Sequence, residues 1–196
     1  RPRTPGERGW VAGQYAAGWR QDGRPADARA GLRAALHEDP GQRQARQTLA
    51  GLLLRQGQAE EAAQLLGEGL RQRPGEPEFA TLLARIRVQQ GELDEAVKVL
   101  KASIGGRTGT PESYAFLAAL QQRQGHYRES VASYQRALER DPRHGVWWMG
   151  MAISLERAAQ PGPAAEAYGR ALEAGGLSGQ LRQYCLGRQR ALSGHN

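Results

Sequence analysis

Histidine and cysteine are the side chains best suited to bind a transition metal or to act in nucleophilic catalysis. The sequence contains four histidines and one cysteine, namely His37, His126, His144, His195 and Cys185. No two histidines have the spacing of a metal-binding pair on one helix face, and no histidine accompanies the cysteine. We therefore predict no metal site and no catalytic pair. Cys185 lies on an apolar stripe, which predicts buried packing.

The acidic pairs and the glycines form no catalytic or phosphate-binding motif. Glu60-Glu61 and Asp94-Glu95 stand where helices are predicted to begin, and negative charge there is favoured by the helix dipole. The glycines come singly and at regular intervals, unlike those of a phosphate-binding loop. The sequence thus predicts a protein that is not an enzyme and has no cofactor.

A net charge of +7 raises the question of anionic partners. Of the 27 basic residues, only Lys98 and Lys101 are lysines. The arginines are spread along the whole chain and form no dense basic run, which disfavours nucleic acid as the partner. A basic adaptor that binds RNA or anionic lipid stays an alternative hypothesis.

A 34-residue repeat supplies the elements that position these side chains. Residues 130–142 and 164–176 align without gaps at that offset, and residues 28–40, 62–74 and 96–108 continue the series. Three columns contain only Ala, Gly or Ser, as close helix packing requires. Their members are Ala16, Ala50, Ala84, Ala118 and Ala152; Ala28, Ala62, Ala96, Ser130 and Ala164; and Ala35, Gly69, Ser103, Ala137 and Ala171.

Larger residues and turn formers complete each repeat. Leu49, Leu83, Leu117 and Met151 are predicted to be buried against Leu32, Leu66, Leu100, Tyr134 and Tyr168. A glycine of positive φ is predicted inside each pair, at Gly23, Gly57, Gly91 and Gly125. Ala159 interrupts this column, and we expect Pro161-Gly162-Pro163 to make the turn there.

Small residues at repeat positions 8, 20 and 27, with Gly at 15 and Pro at 32, resemble the tetratricopeptide repeat. The resemblance implies an all-α, right-handed TPR superhelix (α-solenoid) of five helix pairs and a C-terminal capping helix. We divide the chain into a flexible segment (1–8), repeats (9–42, 43–76, 77–110, 111–144 and 145–176) and a capping helix with tail (177–196). Predicted helices span 9–22, 25–38, 43–56, 59–72, 77–90, 93–105, 111–124, 127–140, 145–158, 161–174 and 178–192.

Two adjacent tryptophans occupy different repeat positions. The resemblance places Trp148 at the structural aromatic position of the family, shared with Tyr114, so we expect a core residue. Trp147 falls at a position that is usually small. It is expected either to wedge against the preceding helix or to be partly exposed.

The same resemblance puts first-helix positions 2, 5, 9, 12 and 13 on a concave wall that binds a protein or peptide. The arginines there predict an acidic partner, because guanidinium groups bind carboxylates bidentately. The alternative is that they only solvate helix ends. The chaperone-binding members of the family carry a clamp of Lys and Asn at positions 5 and 9, and this sequence has neither residue there. The predicted groove residues are Gln44, Gln47, Leu54, Arg55, Arg85, Val88, Gln89, Gln122, Arg123, Met149, Ile153 and Arg157.

Residues 45–70 and 147–172 show a more specific likeness. They resemble the MshN family of tetratricopeptide accessory proteins from MSHA-type type IV pilus operons. That resemblance implies a bacterial assembly factor whose partners are components of the pilus machinery. It further implies the periplasmic part of an inner-membrane-anchored protein, although a cytoplasmic location fits the single cysteine equally well. The chain begins at Arg1, and we expect a piece of a longer protein; no apolar run in it is long enough to span a bilayer.

Overall fold

The computed structural model describes residues 25–105 and 109–194. This part of the chain contains ten α-helices and no strand. The fold is therefore an all-α helical repeat, as predicted. The predicted flexible segment 1–8 and the first helix at 9–22 lie outside the described residues. The helices are Pro25–Glu38 (α1), Arg43–Arg55 (α2), Ala59–Gln72 (α3), Pro77–Gln89 (α4), Leu93–Ile104 (α5), Pro111–Arg123 (α6), Tyr127–Leu138 (α7), Gly145–Arg157 (α8), Pro161–Ala174 (α9) and Gly179–Ser193 (α10).

Local sequence explains where these helices begin. Thr110 caps α6, since its hydroxyl accepts from the Ser113 amide at 3.2 Å and Pro111 follows as the first helical residue. Ser178 caps α10 in the same way. Every described helix starts and ends within two residues of the range predicted from the repeat. In that stretch no helix combines the length and apolar character needed to cross a membrane.

The chain divides into two compact units, Arg1–Gly91 and Glu92–Asn196. The division falls between α4 and α5, the two helices of the predicted third repeat. In the first unit α1 packs on α2, α2 on α3 and α3 on α4. In the second unit each helix from α5 to α10 packs on its neighbour in sequence, and α6 also contacts α8.

The small columns lie at the closest approaches within each unit. All fourteen members in the described range are buried, and Ala16 lies outside it. A Cβ atom at Gly69 would come within 2.7 Å of the Phe79 ring. Gly150, which is not a member of these columns, lies at a similar approach, since a Cβ atom there would come within 2.4 Å of the Tyr134 ring. Larger side chains at these points would push neighbouring helices apart.

The predicted large residues form the cores. Leu32, Leu49, Leu66 and Leu83 are buried in the first unit. In the second unit the corresponding buried residues are Leu100, Leu117, Tyr134, Met151, Tyr168 and Cys185. The repeat therefore predicted both the helices and the faces that they bury.

The turn between α8 and α9 differs from the expectation. Ala159 itself has a φ of 60°, the conformation that Gly57, Gly91 and Gly125 adopt in the equivalent turns. Its amide donates to the Glu156 carbonyl at 3.0 Å. The prediction that Pro161-Gly162-Pro163 makes the turn is wrong, because these residues form the first turn of α9. Proline is tolerated there, since the first helical amides have no intrahelical partner.

Of the two tryptophans of α8, Trp147 is the more deeply buried and Trp148 is less buried than expected. Trp147 is buried and stacks on the His144 ring, with centroids 3.8 Å apart. Trp148 is only half-buried, and its Nε1 donates to the Pro142 carbonyl at 2.8 Å. The ring packs against the core of the second unit, as expected, but it is not fully buried.

Candidate functional site

The predicted groove residues all lie on the first helices of their repeats. Seven of them belong to the first unit, on α2 and α4. The other five belong to the second unit, on α6 and α8. Each of the two compact units carries its own face of first helices. Whether these residues contact a partner stays a prediction.

In the first unit, α2 and α4 present a mixture of polar and apolar side chains. Leu54 and Val88, three residues before the glycine of each turn, are half-buried. Arg55 is exposed and is the last residue of α2. Within the described ranges no carboxylate forms an ion pair with it. The remaining predicted residues are the half-buried Gln47 and the exposed Gln44, Arg85 and Gln89.

In the second unit, two arginines end the two first helices. Arg123 is the last residue of α6 and Arg157 the last residue of α8. Both side chains are exposed, and neither pairs with a carboxylate among residues 92–105 and 109–194. A cation near a helix C-terminus interacts favourably with the helix dipole, so helix solvation alone accounts for part of this placement.

The apolar part of this face comes from α8. Met149 and Ile153, four residues apart on one side of the helix, are half-buried and pack against the core of the second unit. Val146, one turn earlier, is 38% exposed and is one of two large apolar side chains that are exposed in the described part of the chain. Exposed apolar atoms flanked by arginines are typical of surfaces that bind proteins.

The side-chain amide of Gln122 is hydrogen-bonded to other residues of the fold. Its Nε2 atom donates to the Gly150 carbonyl at 3.0 Å and to the Ser154 hydroxyl at 2.8 Å. These bonds link α6 to α8. A partner that needs the amide nitrogen of Gln122 would have to displace them, so its predicted binding role competes with a structural one.

Glu156 repeats this link one repeat later, from α8 to α10. It accepts from the Arg188 Nε atom at 3.2 Å, and a second, shorter bond joins the same two side chains. Tyr168 also donates to Glu156, at 3.1 Å. The charge of Glu156 is therefore compensated by Arg188.

The described residues show no cluster of side chains suited to catalysis or metal binding. They contain no group of three or more His, Cys, Asp or Glu placed to hold a metal ion. Cys185 is completely buried, as predicted, and burial raises the pKa of its thiol. A thiol that is buried and protonated is a poor nucleophile.

Comparison with known proteins identifies the family. A family model described as tetratricopeptide repeat matches residues 20–86 and 56–120. A second model of the same description matches residues 111–144. The chain belongs to the tetratricopeptide repeat family. No curated protein sequence matches it.

Solved TPR structures share its fold. MamA of Desulfovibrio magneticus superposes with a TM-score of 0.68 at 15% identity, covering 87% of this chain and 97% of MamA. YrrB, described as a TPR protein with an unusual peptide-binding site, gives 0.70 at 15% identity, covering 90% of each chain. PilF of Pseudomonas aeruginosa gives 0.69 at 18% identity, covering 97% of this chain and 89% of PilF. At such identities the likeness shows the fold alone.

Membership of the TPR family gives the general role. TPR domains are in general scaffolds that bind protein or peptide partners, and nothing in the described residues shows catalysis. Sequence reasoning missed the ion pair of Arg188 with Glu156. The 34-residue offset could have found Glu156, because Glu156 and Gln122 occupy the same repeat position.

Proposed function

We propose that the chain is a non-catalytic scaffold that binds an acidic segment of a partner protein on its first helices. The observation that carries this proposal is the pair Arg123 and Arg157. Both are exposed at the ends of neighbouring first helices without a carboxylate partner in the described chain. Beside them lie the half-buried side chains Met149 and Ile153. Apolar contact would give affinity, and the guanidinium groups would select carboxylates.

The wider role that we propose is assembly of a bacterial type IV pilus of the MSHA type. Support comes from the sequence resemblance of residues 45–70 and 147–172 to the accessory proteins of such operons. The proposed partners are components of the pilus machinery. The proposed location is the periplasmic side of the inner membrane, with this chain as part of an anchored protein.

Capture from bacterial envelopes tests the pilus role. The immobilised chain would be mixed with detergent-solubilised envelope proteins from a bacterium that assembles an MSHA-type pilus. Retained proteins would then be identified by mass spectrometry. We expect the chain to retain more of the pilus-machinery components than a control variant in which Met149 and Ile153 are both replaced by Asp. Retention of none of them would contradict the pilus role.

The net charge of +7 motivates the competing hypothesis of an RNA- or lipid-binding adaptor. Binding to nucleic acid or anionic lipid weakens as salt rises and is strongest at low ionic strength. An RNA oligonucleotide and phosphatidylglycerol vesicles would be titrated with the chain at low salt. The scaffold proposal predicts no saturable binding to either probe. Saturable binding that salt abolishes would favour the adaptor.

A further inference from the structure

A cleft lies in the second unit where the turn between α6 and α7 meets the end of α8. Its volume is about 440 Å³, and its walls include Tyr127, Arg128, Glu129 and Arg157. The turn residues Gly125 and Ala159, both with positive φ, also line it. Ligand pockets in proteins typically measure about 300–1,000 Å³, so this cleft suits a few side chains of a peptide and not a folded domain.

The cations of the cleft are uncompensated. Arg128 and Arg157 are both exposed, and neither forms an ion pair with a carboxylate in the described chain. Two other exposed arginines of the second unit do have an acidic partner: Arg170 lies 3.5 Å from Glu173, and Arg136 lies 3.5 Å from Glu139. The two cleft arginines differ from Arg136 and Arg170 in forming no ion pair with a carboxylate of the described chain.

Glu129, the only acidic residue that lines the cleft, already has two hydrogen-bond donors as partners. Glu129 accepts from the Lys101 Nζ atom at 2.8 Å and from the Gln121 Nε2 atom at 3.1 Å. The hydrogen bond from Lys101 lowers the pKa of Glu129 below its ordinary value, so this carboxylate stays ionised with Lys101 as its counter-ion. Its charge does not offset those of Arg128 and Arg157.

We propose that this cleft binds carboxylates of an acidic peptide segment, and that Arg128 and Arg157 hold them. The inference rests on the proposed scaffold function and adds a defined anchor point to it. Arg157 belongs both to the predicted groove and to the cleft, so a peptide lying along α8 past Met149 and Ile153 would reach the cleft with its acidic end. Arginine suits this role because its planar guanidinium binds a carboxylate through two parallel hydrogen bonds.

The test uses the full chain and two synthetic peptides. One peptide is short and apolar with a Glu-Asp-Glu C-terminus and a free carboxylate. Its matched control has Gln-Asn-Gln and a C-terminal amide. The Nε–H signals of arginine side chains would be followed by NMR during each titration. We expect the signals of Arg128 and Arg157 to shift with the acidic peptide alone, and that of Arg143, at the opposite end of α8, to stay in place.

Charge reversal separates this inference from the proposed function. Arg128→Glu and Arg157→Glu should each weaken binding of the acidic peptide about tenfold, whereas Arg143→Glu should change it less than about twofold. Equal shifts with both peptides, or equal effects of all three variants, would overturn the cleft as a carboxylate site. Two double variants would then be compared for capture of pilus components. If the Arg128→Glu, Arg157→Glu variant still bound them and the Met149→Asp, Ile153→Asp variant did not, the scaffold proposal would stand and the cleft proposal would fail. If no protein were captured, the scaffold itself would fail.

Discussion

Arg46 and Trp148 occupy the same position in repeats two and five and make the same hydrogen bond. Arg46 donates from Nη2 to the Pro40 carbonyl at 2.9 Å, and Trp148 donates from Nε1 to the Pro142 carbonyl at 2.8 Å. In both cases the acceptor lies six residues earlier, at the proline that follows the preceding helix. Two chemically different side chains therefore satisfy the same carbonyl at the entrance to a first helix.

Arg46 makes more of these contacts than Trp148. It is 3% exposed, although it is a cation, and its Nη1 atom also donates to the Leu65 carbonyl at 2.9 Å. Burial lowers the pKa of its guanidinium. The carboxylate of Glu68, 3.6 Å away, acts in the opposite direction. The Arg46 side chain thus joins α3 to the loop before α2 and fills the space beside Gly69.

We predict that Arg46→Met lowers the free energy of unfolding by about 2 kcal/mol, since two part-buried carbonyls lose their donor. Trp148→Phe keeps an aromatic ring, although a smaller one, and loses one donor, so about 1 kcal/mol is expected. The exposed Arg71 on α3 serves as the control, because Arg71→Met should change stability by less than about 0.5 kcal/mol. Urea unfolding followed by circular dichroism measures all three. Equal stability of the Arg46 and Arg71 variants would contradict the structural role of Arg46.

A second prediction concerns the turn at Ala159. An alanine with positive φ is strained, whereas glycine adopts that conformation readily. Ala159→Gly should therefore raise the free energy of unfolding by about 0.5–1 kcal/mol. Gly125→Ala should lower it by about 1 kcal/mol through the backbone alone, because no atom within 4 Å would meet the added Cβ. Thermal unfolding of the two variants measures both changes. Destabilisation by Ala159→Gly would contradict the backbone conformation described for this turn.

The repeat predicted the helices and their buried faces because both depend on residue type at fixed spacing. Ala118 and Ala152, one repeat apart, are both fully buried as the small column required. The turn at Ala159 was not predictable in this way. Residue preference pointed to Pro161-Gly162-Pro163, but the hydrogen bonds that close α8 accompany a positive φ at the second residue after the helix, as at Gly125 after α6.

The candidate site was only partly predictable. Repeat position indicates which helix face carries Arg123 or Gln122, but it does not say which side chain is already bonded within the fold. That depends on the facing residue of the next repeat. Gln122 meets the Ser154 hydroxyl, whereas Arg123, the next residue, meets no carboxylate among the described residues. The same dependence hid the ion pair of Glu156 with Arg188, because their bond joins residues 32 positions apart.

A third prediction uses Cys185 to measure how firmly α10 closes the second unit. The thiol is completely buried, and the Glu156–Arg188 pair lies between α8 and α10. Local opening of α10 exposes the thiol, so its reaction rate reports that opening. Arg188→Gln should raise the rate of modification by an aromatic disulfide reagent about three- to tenfold, because an incompletely buried ion pair contributes about 1 kcal/mol.

Arg170→Gln provides the matched control for this rate. Arg170 pairs with Glu173 on α9, and both side chains are about two-thirds exposed. We expect no more than about a twofold change, since exposed pairs stabilise little. Unchanged reactivity of Cys185 in the Arg188 variant would show that the ion pair does not hold the closing helix.

Charge reversal of the three arginines that end first helices tests the central claim most directly. Arg55, Arg123 and Arg157 would each be replaced by Glu in one chain, and Arg71, Arg143 and Arg170 in another chain of equal net charge. Envelope capture would be compared for both, after circular dichroism has shown that both are folded. The scaffold account predicts loss of the captured pilus components only in the first chain. Equal capture by both chains would contradict binding on the first helices.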